Sequence, residues 1–260
     1  MLTLYHWEPN ANSGKPIQAL KEKGVEFESH WIDVFKHDHH QEWFLKINPL
    51  GVVPAMSHDG LNLYESTAIM EYVDDAFDGP PLRPANAEGR WRMRWWMKFV
   101  DQYYAPSVSM LAWSRRAATP PSEEQAEEFR KTVKKIPQKE RQKSWEKSTF
   151  GKFKPGELEE SDRRYRYGVK LMEEHLSKNE WLAGGMFTIA DICAFNLCYF
   201  MPMNPNGYVS DEKTPYTMEW LRKIYERPAT VESWNLGRAF TAARLTHLKR
   251  PDSPAGLITA

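Results

Sequence analysis

The stretch from Val53 to Ser66, V-P-A-M-S-H-D-G-L-N-L-Y-E-S, combines residue types that can hold a peptide. A proline opens a short strand, Asp59-Gly60 signals a tight hairpin turn, a second strand follows, and an acidic residue and a hydroxyl lead into a helix. With a cis Val53-Pro54 bond, Val53 is expected to be extended and to turn its N–H and C=O outward, where an extended tripeptide can pair as an added strand. Glu65 can accept an ammonium group. Ser66, at a helix N-terminus, can offer its hydroxyl and backbone N–H to the adjacent carboxylate. A β-hairpin followed by a capped helix accounts for the same residues with no ligand.

Other reactive residue types suggest less chemistry. His37, Asp38, His39 and His40 form a metal-capable run, but neighbouring ligands at the start of a helix are expected to diverge, so no metal site is expected. Cys193 and Cys198 share one apolar helical stretch without C-x-x-C spacing, which points to core residues rather than a redox dithiol or a thiolate metal site. Thr188 and Asp191 have capping-box spacing, with Asp in place of the usual Glu, and are read as fold stability.

The elements that must position these groups follow from pattern. Leu2 to Tyr5 reads as a strand, Lys15 to Lys23 as a helix closed by Gly24, and Phe27 to Asp33 as a second strand, a βαβ unit whose connection suits parallel pairing. A short helix over His39 to Ile47 is broken by Asn48-Pro49-Leu50-Gly51, and the hairpin and a helix over Ser66 to Phe77 complete the set. This order predicts an α/β thioredoxin-like domain over residues 1–79, a four-stranded mixed sheet with helices on both faces. The Pro- and Gly-rich stretch from Asp78 to Pro84 marks a boundary. Residues 87–260 read as all-helical. A long aromatic helix over Trp91 to Trp113 has a kink expected at Pro106. Residues 119–156 form a charged insert of surface helices and loop, with a capping box at Ser122 and Gln125, and further helices are expected over Ser161 to Leu176 and Thr217 to Tyr225. Leu236 to Ala260 is expected to wrap the surface as a tail.

Composition narrows the class. Among 260 residues, 35 basic and 35 acidic side chains cancel, which argues against a nucleic acid as the main partner. No apolar run reaches the length of a membrane span and the N-terminus lacks signal-peptide character, so a cytoplasmic protein is expected. Eleven Trp, 11 Tyr, 12 Phe and 11 Met suit both cores and cavities for flat apolar ligands.

Taken together, V-P-A, Y-E-S-T-A-I-M-E-Y and F-T-I-A-D-I, in this order and spacing, resemble the glutathione transferases over essentially the whole chain. N-A-N-S-G-K-P at Asn10, W-F-L-K-I-N-P-L-G-V-V-P-A at Trp43, M-R-W-W-M-K-F-V-D-Q-Y at Met93, D-E-K-T-P at Asp211 and the charged insert are similar to the bacterial β-aryl etherases, which use glutathione to cleave lignin-derived ethers.

The resemblance implies glutathione as co-substrate, no metal, an aromatic ether substrate, and a dimer, either of identical chains or with a related chain, through Tyr64 to Asp75 and Trp91 to Val100. It places the activating hydroxyl at Ser13. A helix N-cap is the other role for Ser13, but Pro16 would then fall at its N3 position with no N–H to donate, so Asn12 is the expected cap. Asn12 can also aim its amide at the sulfur. The resemblance also implies that Val53, Pro54, Glu65 and Ser66 hold the tripeptide, that His40 and Gln41 hold its glycine end, and that Tyr103, Tyr104, Met110 and Trp113 line the electrophile pocket, with Met201 or Met203 as further candidates. General glutathione conjugation, or a glutathione-binding partner subunit without turnover, are the alternatives to ether cleavage.

Overall fold

Leu4, fully buried at the centre of the first strand, β1 (Leu2–His6), sits where the sheet is assembled. It lies opposite Ser29 of β2 (Glu28–Trp31) in a parallel pair and opposite Met56 of β3 (Ala55–His58) in an antiparallel one. β3 continues antiparallel into β4 (Leu61–Tyr64), giving the order β2-β1-β3-β4. Asp59 and Gly60 both take positive φ, 48° and 88°, the geometry of the primed turns whose twist matches a hairpin. The structure, a computed structural model, describes residues 1–250, except for the side chains of residues 116 and 117.

Helix α1 (Ala11–Lys23) makes the crossover between β1 and β2 and ends at Gly24, whose φ of 69° lets its N–H close on the carbonyls of Leu20 and Lys21. It begins four residues earlier than the expected Lys15, and Asn10 rather than Asn12 occupies the N-cap position. The Gly14 N–H bonds to the Asn10 carbonyl at 3.1 Å and starts the helical ladder, so Pro16 falls inside the helix, where it leaves one backbone bond unmade. The expected helix over His39 to Ile47 is two pieces, a 3₁₀ turn at Asp38–His40 and the single turn α2 (Glu42–Leu45). α3 (Ser66–Ala76) lies beside α1 on one face of the sheet, while Ile32, Phe44 and Ala55 form a small core on the other.

Residues 77–86 contain neither helix nor strand and lead into α4 (Ala87–Phe99). A five-residue π-helical segment, Val100–Tyr104, joins α4 to α5 (Ala105–Ala117). The irregularity expected at Pro106 therefore lies in the turn before it. Pro106 has no N–H for the Gln102 carbonyl and its ring crowds that group, and the ladder widens so that the Ala105 N–H reaches the Val100 carbonyl, five residues back.

The charged insert folds as α6 (Glu123–Val133), opened by the Ser122–Gln125 capping box, and α7 (Lys139–Phe150). α8 (Glu157–Leu176) follows. α9 (Ile189–Cys198) is buried along its whole length and starts with the Thr188–Asp191 capping box, and Asp191 also accepts the Leu182 N–H and the Trp220 indole N–H, each at 2.9 Å. α10 (Pro215–Tyr225) and α11 (Pro228–Trp234) precede a 3₁₀ segment, Ala242–Leu248. Ala242, Leu245 and Leu248 are core residues, so this part of the expected surface tail is built into the interior. Its residues 251–260 lie outside the described residues.

One hydrophobic core runs from Leu4 and Ile17 in the α/β half to Phe195 and Trp220 in the helical half. Gly14 lies where the two halves approach closely, since a Cβ there would lie 2.0 Å from Asn196 Oδ1 and 2.5 Å from the Pro9 carbonyl. Buried polar ties cross the same seam: Gln18 Nε2 donates to Thr230 Oγ1 at 2.9 Å, and Asn196 Nδ2 to Gln18 Oε1 at 3.0 Å. No described helix is long and apolar enough to cross a membrane.

Candidate active site

The loop between β1 and α1 brings Trp7, Asn10 and Ser13 together at the uncapped end of a helix. Ala11 takes φ 48°, a left-handed conformation that turns the chain abruptly into α1. No side chain caps the first turn, which leaves its N–H groups and the positive end of the helix dipole open to an anion. Ser13 is 4% exposed, and its Oγ accepts the Trp7 N–H at 3.2 Å. With that lone pair engaged, the hydroxyl proton remains to be donated. Asn12, expected as cap and possible thiolate ligand, projects to solvent from the second helical position. Asn10, which sequence reasoning missed as a site residue, donates through Nδ2 to the Tyr199 hydroxyl at 3.2 Å, and its buried Oδ1 has no partner among the described residues.

A cavity of about 690 Å³ opens in front of this loop. Trp7, Asn10 and Ala11 form one wall, Val108 and Trp113 of α5 a second, Tyr199 and Phe200 a third, and Phe240 closes one side. Arg141 and Trp145 of α7 form the remaining wall, so the insert is part of the site rather than surface alone. Glu8 is buried and accepts the Phe240 N–H at 2.8 Å, and the Phe240 ring meets Trp7 edge-on at 6.2 Å.

Of the four side chains expected to line an electrophile pocket, Trp113 lies on this cavity and the other three do not. Tyr104 is fully buried, stacked on Tyr165 at 5.7 Å and pressed against Gly168. Tyr103 stacks on Phe99 and lies under the Arg164 guanidinium. Met110 is half-buried elsewhere on α5. Of the further candidates, Met201 is in the core and Met203 is exposed. Burial pushes the Cys193 thiol up to about 12 and Cys198 higher still, so neither is a nucleophile near neutral pH.

The peptide cradle stands beside this site. The Val53-Pro54 bond is cis, and no hydrogen bond among the described residues engages the Val53 N–H or C=O. Glu65, exposed, holds φ 72° and ψ 106° at the N-cap position of α3 without capping it, and Ser66 behind it is buried. Non-glycine residues in such a conformation concentrate where a side chain must be aimed.

His39 and His40 are buried against Gly51, and Gln41 projects to solvent. Contrary to the expected divergence, one nitrogen from each of His37, His39 and His40 lies within 4.8 Å of the others, and all three Nδ1 atoms are buried without a partner among the described residues. The left-handed φ of His37, 58°, folds the run back on itself and causes this convergence. Burial first, then the His40 and His37 imidazoles and Arg141, lower His39 to about 3, and burial, His37 and Arg141 lower His40 to about 4 against the Gly51 backbone. His37 is lowered by burial and by Lys135, with Glu128 and Asp33 opposing.

Comparison with known proteins identifies the family and the fold. The glutathione S-transferase N-terminal domain matches residues 1–75, and the C-terminal domain matches residues 115–228. The chain is 40% identical to the protein LigF of Sphingobium sp. over 238 residues, 89% of this chain and 92% of LigF. It is 26% identical to glutathione S-transferase F9 of Arabidopsis thaliana, over 86% of this chain and 92% of that protein. The crystal structure of the β-etherase LigF superposes with a TM-score of 0.82 at 39% identity, covering 91% of this chain and 99% of that one. Glutathione transferase F7 of Populus trichocarpa, at 23% identity and a TM-score of 0.68, shares the fold, covering 90% of this chain and 97% of that one. The thioredoxin-like α/β half and the helical half thus form the two-part architecture of one family, and this chain belongs to the glutathione S-transferases.

Proposed function

We propose that this chain is a glutathione-dependent β-etherase that cleaves β-aryl ether bonds in lignin-derived aromatic ketones. The observation that carries the reading is the likeness to LigF over nearly the whole of both chains. Glutathione lies along Val53, its ammonium group at Glu65, its α-carboxylate at Ser66 and its glycine end toward His40, with the thiol at the start of α1. A free thiol titrates at about 8.5, and lowering it by about two units, roughly 2.7 kcal/mol, ionises it at neutral pH. The Ser13 hydroxyl and the open helix N-terminus supply that stabilisation.

The thiolate attacks the carbon that carries the ether oxygen, beside the carbonyl. The C–S bond forms, the C–O bond breaks, and its electron pair leaves on the phenolate. Tyr199, whose oxygen accepts from Asn10, retains its own proton to donate to that departing oxygen. The flat rings of the substrate suit walls made by Trp7, Trp113, Trp145 and Phe240. The displacement as written uses no metal ion.

A dimer completes the proposal. Tyr64, Trp91 and Trp95 are exposed at 40%, 63% and 40%, a density of aromatic surface that favours a partner chain. The location proposed is the cytoplasm, where the free Cys193 and Cys198 remain thiols. The test is to incubate the purified chain alone with glutathione and a β-ether ketone and to measure released phenol and thioether. Turnover of halogenated or epoxide electrophiles without phenol release would make it a general conjugating transferase. Glutathione binding with no turnover would make it a partner subunit.

A further inference from the structure

We infer that His37, His39 and His40 form a binding site for one divalent transition-metal ion such as zinc, held through their ring nitrogens on the turn that precedes the peptide cradle. The inference is independent of the ether-cleavage reading and gives the ion a structural role.

Three observations meet at this turn. One nitrogen from each ring lies within 4.8 Å of the other two. His39 and His40 are only 4% and 7% exposed, yet their Nδ1 atoms, like that of His37, have no partner among the described residues. A buried imidazole nitrogen without a partner forfeits the hydrogen bond it had in water, and such groups are rare enough in folded chains to require an explanation. One ion that takes all three nitrogens explains them together. The third observation is in the backbone, where His37 holds φ 58°, a left-handed conformation that is costly for a non-glycine residue. That bend sets the His37 ring 5.4 Å from His40 with the two planes 16° apart, while His39 lies 3.8 Å from His40.

The donor set selects the ion. Three imidazoles without a thiolate suit zinc, whose bonds to histidine nitrogen are about 2.0–2.1 Å, and they leave a fourth tetrahedral position to water. Calcium and magnesium prefer oxygen ligands and do not fit. Nitrogens around a tetrahedral zinc stand about 3.4 Å apart, so the ion draws the three rings slightly closer together. An entry path exists, since His37 lines a cavity of about 940 Å³ with Glu124 and Glu128 of α6, whose carboxylates attract cations. Lys135 and Arg141 bear on the rings with the opposite sign, so binding rests on the nitrogen donors rather than on net charge. The Cδ2–Nε2 edge of His40 is turned toward Gly51, where a Cβ would lie 3.2 Å from Cδ2. An ion on Nδ1 leaves that edge toward the cradle and fixes its direction.

The experiment uses the full chain stripped of metal by a chelator and kept free of glutathione, whose thiol itself binds zinc. Calorimetric titration with zinc chloride should show one ion per chain, and the melting temperature should rise with zinc concentration. His37→Asn, chosen because asparagine tolerates the left-handed backbone, should weaken zinc binding roughly a hundredfold and remove the thermal shift. X-ray absorption of the zinc-loaded wild type, which depends on no variant, should show imidazole nitrogens at about 2.0–2.1 Å. Failure of the wild type to bind zinc would overturn the assignment, as would equal binding by His37→Asn or a coordination shell of oxygen or sulfur without imidazole.

Discussion

Glu8 and Phe240 are 232 residues apart in sequence, and the carboxylate of one holds the backbone N–H of the other at 2.8 Å. The same buried carboxylate accepts the N–H groups of Arg238 and Ala239 at 3.2 and 3.1 Å, so the segment after α11 is fixed onto the loop that carries Trp7 and leads into the first turn of α1. Glu8→Ala should lower stability by about 3 kcal/mol, because three backbone N–H groups lose a buried charged acceptor at once. It should also raise the KM for the ether more than that for glutathione, since Phe240 leaves the substrate wall. Denaturation and paired KM measurements check this, and equal effects on both substrates would count against it.

Ser13→Ala should slow turnover at neutral pH by roughly ten to a hundredfold, the value of one charge-assisted hydrogen bond, and leave most glutathione affinity intact. Raising the pH should recover part of the rate, because the bound thiol then ionises without help. A thiolate absorbance titration beside a pH profile of kcat decides the matter. If the thiol pKa stays in place and only stability falls, the role of Ser13 is to accept the Trp7 N–H, and the activating group lies elsewhere on the loop.

Glu65→Ala should raise the KM for glutathione far more than it lowers kcat. Its charged contact with the ammonium group is equal in ground and transition states, so its loss is uniform. An unchanged glutathione KM would remove Glu65 from the site.

His39 and His40, held at about 3 and about 4, make folding of the ligand-free chain sensitive to acid. In the unfolded chain both take up protons below about 6.5, whereas in the folded state they stay neutral until about pH 4, so the unfolded state binds more protons in between. Their contribution is therefore complete above about pH 6.5 and is lost as the pH falls toward 4, at up to roughly 1.4 kcal/mol per pH unit for each ring. Urea unfolding at pH 7.5 and pH 5 should show this drop in the wild type and a shallower one in the His39→Asn, His40→Asn double variant. Parallel pH dependences would refute it.

Much of this architecture was readable from residues alone. The Val53–Ser66 stretch, both capping boxes and the order of strands rest on local signals that tertiary contacts reinforce. The start of α1 was not readable, because it depends on Ala11 taking a left-handed conformation that its side chain does nothing to announce, while Asn12 and Ser13 both look like caps. The histidine run misled for the same reason, through the left-handed His37. Arg141 was hidden in a stretch whose charge density reads as a solvated surface, and only the packing of α7 over the cavity gives it a role. Tyr103 and Tyr104, expected at the pocket, lie in the π turn and pack on Phe99 and Tyr165 instead, a local geometry that residue types do not announce.

That segment, Val100–Tyr104, has a consequence for chain length. An α-helix turns about 100° per residue, and a π turn accommodates one residue more than an α turn. The bundle face of α4, with Met93, Trp96 and Met97, and the cavity face of α5, with Val108 and Trp113, keep the phase of a helix one residue shorter because the π turn absorbs that additional residue. Point changes at the exposed Gln102 leave the alignment alone, and so does removal of one residue between 100 and 104, which restores a regular helix without turning what lies beyond it, whereas a one-residue deletion within α4 turns every later position by about 100°. After such a deletion in α4 Trp113 would face away from the cavity, so along this pair of helices the π turn is the place with a residue to spare.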